Sequence, residues 1–78
     1  MELTFKEDNV LHAVNGTIED EWGMVADVHS HVPGMVCQKE RQTIGVIGSL
    51  TKKGLVECDT DEGVEWIRLT SLGKGHLN

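Results

Sequence analysis

The glycine in Lys52-Lys53-Gly54-Leu55-Val56 constrains this chain more than any other residue. Before it, Thr43 or Ile44, Ile47 and Leu50 recur at helical spacing. Gly54 closes that run beside two lysines suited to the negative end of a helix dipole. After it, residues 55–59 and 64–70 have strand character, separated by Thr60-Asp61-Glu62-Gly63, a hairpin turn with its glycine at the end. A helix over residues 38–53 must therefore deliver the chain almost directly into a β-hairpin. Alternation along the second strand puts Ile67 and Leu69 on one face, and Val64, Trp66, Arg68 and Thr70 on the other.

Two helices are expected upstream. Thr4-x-x-Glu7 is a capping box, in which each side chain satisfies an exposed amide of the other residue. Val10, Leu11, Val14 and Ile18 follow at helical spacing, and Gly16 after Asn15 is a natural stop, so the first helix is predicted over residues 5–15. Thr17-x-x-Asp20 offers a second start, with Glu19, Asp20 and Glu21 suited to the positive end of a dipole. Trp22, Val25, Val28 or His29, and Val32 keep the period, and Val32-Pro33-Gly34 ends it. The expected fold is one small α+β domain over residues 1–78, three helices followed by a two-stranded β-hairpin. A chain of this size buries only about 60% of the surface that its unfolded form exposes, so a partner or a second copy would help it.

Charge is unevenly spread along the chain. Its net value of −6 argues against indiscriminate nucleic-acid binding, which depends on Lys and Arg neutralising phosphates. Residues 1–35 hold one lysine against seven acids, and residues 57–78 hold Arg68 and Lys74 against five. Only residues 36–56 are basic, with Lys39, Arg41, Lys52 and Lys53 against Glu40.

Taken together, "IGSLTKKGLV" (residues 47–56) resembles the end of the recognition helix and the first wing strand of winged-helix regulators, particularly the MarR-like group. "RLTSLGKG" (residues 68–75) is similar to the x-L-T-x-x-G-x-x pattern with which that wing leaves its second strand. The resemblance covers residues 38–75. It implies a DNA-binding transcriptional regulator whose third helix enters the major groove while the wing touches the adjacent backbone. One helix with about three or four basic contacts would bind DNA weakly, so that reading predicts a homodimer, or a subunit that docks with another protein. Three departures are visible. The wing tip carries Asp59, Asp61 and Glu62 where the family usually has Arg or Lys, and the "HVPGMVCQ" turn is longer than the family's. Only three residues follow Gly75, so the family's long dimerising helices and inducer pocket do not carry over.

Within that frame, Gln38, Lys39, Arg41, Gln42, Gly45, Ser49, Lys52 and Lys53 are the candidate contacts to double-stranded DNA. Gln42 suits an adenine edge, Arg41 a guanine or phosphate, and Ser49 and Lys52 the backbone. Gly45 and Gly48 each cost about 1 kcal/mol against alanine in a helix interior, and would let another backbone approach closely. Trp66 and Arg68 share a strand face and have the composition of a protein-interface hot spot. The alternative reading is thus a winged-helix protein-interaction module using the wing and the acidic surface, without DNA.

Other chemistry finds little support. His29-x-His31 lacks the ligand spacing of structural zinc sites, so neither metal nor other cofactor is expected. Cys37 and Cys58 read as small buried hydrophobes. No nucleophilic triad, phosphate loop or paired-carboxylate pocket stands out, and an enzyme is not expected. Without a long apolar run or a leader pattern, the expectation is a cytoplasmic protein with no membrane association.

Overall fold

The computed structural model describes residues 2–18 and 22–77. Its elements run α1 (Phe5–Thr17), β1 (Gly23–Met24), α2 (Val25–His31), α3 (Glu40–Lys52), β2 (Val56–Asp61), β3 (Val64–Leu69) and α4 (Ser71–Leu77). Four helices and a three-stranded antiparallel sheet, ordered β1-β3-β2, make an α+β architecture. Val10, Leu11 and Val14 of α1, Val28 of α2, Leu50 of α3, and Leu55 and Ile67 around the hairpin form its fully buried centre. Each such side chain contributes about 1.5–3 kcal/mol by leaving water. Among the described residues no helix is long and apolar enough to cross a membrane.

The first helix starts where the capping box places it. Thr4 Oγ1 accepts from the Glu7 amide at 3.1 Å, and Glu7 Oε1 accepts from the Thr4 amide at 2.9 Å. It does not stop at Asn15-Gly16 but runs to Thr17, where the Ile18 amide still reaches the Val14 carbonyl. Burial of Ile18 in the core favours the extra residues, and Gly16 is not in the left-handed conformation that would end a helix.

The second helix departs most from expectation. It begins at Val25, and Trp22 lies outside it. Gly23 and Met24 instead pair with Ile67 and Trp66, supplying β3 with a second neighbour. Pairing satisfies backbone groups that a two-stranded hairpin would leave on an open edge. The expected start at Thr17-x-x-Asp20 falls largely on residues 19–21, outside the described residues. Val25, Val28 and Val32 face the core as expected, and Val32 ends the helix in the extended conformation that Pro33 imposes.

The third helix is shorter than its expected span by two residues at the start and one at the end. Of the two candidates for its inward stripe, Thr43 is buried and Ile44 is not. Gly54 closes it with φ +77°, and the Leu55 amide donates back to the Leu50 carbonyl at 3.1 Å.

In the hairpin, Asp61 pairs with Val64, which leaves a two-residue connection, Glu62-Gly63, with both φ values positive. That is the tight turn whose twist matches antiparallel strands, and it extends β2 two residues beyond the expected end. The final helix, α4, is not foreshadowed by periodicity, and it accounts for the Leu-Thr-x-x-Gly pattern. Thr70 Oγ1 accepts from the Gly73 amide at 3.0 Å and donates to the Gly54 carbonyl at 2.6 Å. Gly73 is buried against Leu55, whose carbonyl oxygen a Cβ would strike.

Candidate functional site

Helix α3 turns Thr43, Ile47 and Leu50 inward. It rests on α2 partly through a 2.6 Å hydrogen bond between His29 Nδ1 and Thr43 Oγ1. The residues opposite that stripe, Arg41, Gly45, Gly48 and Lys52, are exposed, as are Gln38 and Lys39 just before the helix. A Cβ added at Gly45 or Gly48 would meet nothing within 4 Å. Internal packing therefore explains neither glycine. Among the described residues, no hydrogen bond or ion pair holds the side chains of Lys39, Arg41 or Lys52. The outward face of α3 thus carries the unpaired cations Arg41 and Lys52 beside its two glycines, with Lys39 just before the helix.

Three other candidates belong elsewhere. Gln42 folds back over the start of its own helix, where Oε1 accepts from the Gln38 amide at 2.8 Å and the Lys39 amide at 3.2 Å. This occupies the acceptor that a bidentate contact to adenine needs. Ser49 and Lys53 turn towards α1. Ser49 Oγ donates to Glu7 Oε2 at 2.8 Å, and Lys53 Nζ donates to Glu7 Oε1 at 2.7 Å.

Glu7, whose side chain is only 5% exposed, is therefore a hub joining the α1 cap to α3. The Lys53 ammonium, then the Thr4 amide, then Ser49 stabilise its charged form and lower its pKa from 4.5 to about 2. The capping-box signal identified Glu7 but gave no hint of its partners Ser49, on α3, and Lys53, just after it, which lie more than forty residues away.

The sheet presents a different surface. Ile67 and Leu69 are buried, so Trp66 and Arg68 do share the outer face, as alternation predicted. Because β1 flanks β3, Trp66 is half-buried within a three-stranded sheet, not free on a two-stranded wing. Arg68 stacks on Trp22, with its guanidinium carbon 5.0 Å from the ring centroid, and pairs with Glu57 at 2.7 Å. Trp22 was expected in the core stripe of the second helix, and is instead 39% exposed beside this face. Met24, also exposed, lies opposite Trp66. Asp59 and Asp61 alternate onto the same outer face as Glu57.

Between α3 and the hairpin lies a cleft of about 380 Å³, lined in part by Ile44, Gly48, Thr51, Cys58 and Trp66. Cys58 is exposed, correcting its reading as a buried hydrophobe, whereas Cys37 is buried; both thiols are free. The histidines have local roles: His29 ties α2 to α3, and His31 Nδ1 lies 2.9 Å from the Asp27 carbonyl oxygen. No protein-family model matches the chain, and no curated protein matches it.

Proposed function

We propose that this chain is a winged-helix DNA-binding module, a transcriptional regulator in which α2 and α3 form the helix-turn-helix and β2–β3 the wing. The observation that carries the reading is the uncovered outward face of α3. Arg41 and Lys52 flank a glycine strip there, Lys39 lies just before the helix, and no side chain of the described residues competes for the cations. Arg41 and Lys52 engage phosphate or guanine, and Gly45 and Gly48 let the helix backbone come close to the groove. The wing does not grip phosphate, because Asp61 and Glu62 at its tip repel it. Three cations per copy give weak binding, so the reading includes a homodimer or a docking subunit. It requires neither catalysis nor a cofactor.

A salt titration with a short labelled duplex, followed by fluorescence anisotropy, tests this reading. Three phosphate contacts per copy give a slope of about −2.7 in log K against log salt, or roughly a 40-fold loss between 50 and 200 mM. The double variant Arg41→Ala, Lys52→Ala should lower the slope by about 2 and leave little measurable affinity. No binding at low salt, or an unchanged slope in the variant, sinks the reading. The second reading, a protein-interaction module, is favoured by one observation: the aromatic and acidic outer face of the sheet.

A further inference from the structure

On the outer face of the sheet, one cation is already held by an indole and a carboxylate. Arg68 lies over Trp22, while its Nε and one terminal nitrogen each contact Glu57 Oε2 at 2.7 Å. Immediately beside it is an open cavity of about 280 Å³ lined by Trp22, Trp66, Asp59 and Asp61. The cavity repeats the ingredients that hold Arg68, with two indoles and two carboxylates. Among the described residues no cation pairs with either aspartate. Asp59 Oδ1 accepts from the Thr60 amide at 2.9 Å, leaving its other oxygen free. Register brings the groups together: Asp59 stands directly opposite Trp66, and Asp61 lies two residues further along the same strand face.

We propose that this cavity binds an arginine side chain from a basic segment of a partner protein. The guanidinium lies against an indole as Arg68 does on Trp22, and donates to Asp59 and Asp61. Its methylene stem crosses Trp66 towards exposed Met24. Arginine fits better than lysine, because a planar fork can stack and donate to two carboxylates at once. Two aspartates exclude anionic ligands, and Glu62 and the chain's net charge of −6 favour a basic partner. The cavity itself includes no residue of α3, so the inference does not depend on DNA binding.

Trp22 and Trp66 are the chain's only tryptophans, which makes intrinsic fluorescence a direct reporter of the site. The probe is a short acetylated peptide with one arginine between glycines, titrated through the millimolar range expected for a single side chain. A saturable fluorescence change is expected. It should vanish when citrulline, neutral and nearly isosteric, replaces arginine, and weaken severalfold with lysine. The variant Asp59→Asn, Asp61→Asn keeps the local geometry and should lose affinity roughly tenfold, with its far-ultraviolet circular dichroism unchanged. No saturable change, equal response to the citrulline peptide, or an unaffected variant overturns the proposal. A concentration-dependent shift in the protein alone also overturns it, by assigning the cavity to a second copy of the chain.

Discussion

The outward face of α3 and the outer face of the sheet belong to one small domain, yet they are built on opposite terms. The α3 face is cationic, smooth and empty of large side chains, with Arg41 and Lys52 around Gly45 and Gly48. The sheet face is acidic and aromatic, with Trp22 and Trp66 beside Asp59 and Asp61. A surface of the first kind suits a polyanion whose backbone must come close. A surface of the second kind suits a cation that can stack. A chain with net charge −6 thus still has one cationic face, because four of its seven lysines and arginines, Lys39, Arg41, Lys52 and Lys53, lie on or beside α3.

The largest expected effect comes from the residue that separates core from surface. Glu7→Gln removes the charge that holds Lys53, and should lower the thermal midpoint measured by circular dichroism more than any surface change. Because the folded-state pKa of Glu7 lies below its ordinary 4.5, at about 2, its contribution is complete above about pH 4.5. It is lost as pH falls from there towards 2, and Glu7→Gln should remove that part of the acid sensitivity. Lys53, released from Glu7, should add about 0.9 to the magnitude of the salt slope for duplex binding. An unchanged midpoint would mean that α1 and α3 do not depend on this hub.

The wing tip offers the next test. Asp61→Lys with Glu62→Lys replaces two repulsive charges with two attractive ones, adding up to about 1.8 to the magnitude of the salt slope. Affinity measured by anisotropy should then rise tenfold or more at moderate salt, an order-of-magnitude expectation from phosphate neutralisation. If affinity does not move, the wing lies far from the duplex and α3 acts alone.

A smaller and more discriminating effect is expected at Gly45. Alanine meets open space there, so Gly45→Ala should gain about 1 kcal/mol of helix stability, or about 4–8 °C in midpoint. Duplex affinity should fall at the same time if the helix backbone approaches the groove. A variant that is stabilised with unchanged affinity would show that the glycine strip is not a contact.

Much of the fold was legible because its signals are local. The Thr4–Glu7 box joins residues only three apart, Gly54 needs only its own backbone angle, and Pro33 acts on its immediate neighbour. The candidate site was only partly legible. Helical spacing correctly put Arg41, Gly45 and Lys52 on one face, but could not reveal that Gln42 is spent on a cap or that Ser49 and Lys53 are claimed by α1. Trp22 was misplaced for a related reason. Its spacing from Val25 and Val28 fits a helix, while strand pairing at Gly23–Met24 depends on β3, more than forty residues later.

By itself, then, the sequence determined the three helices that precede the hairpin, the alternation that sends Trp66 and Arg68 outward, and the confinement of net basic charge to residues 36–56. These follow from short-range backbone preference and from charge written directly into the chain. Only the tertiary structure decided which cations remain free, that a third strand backs the hairpin, and that Trp22 joins Trp66. Each of those depends on which distant groups meet, and a buried carboxylate or an open strand edge selects its partners by proximity in space, not along the chain.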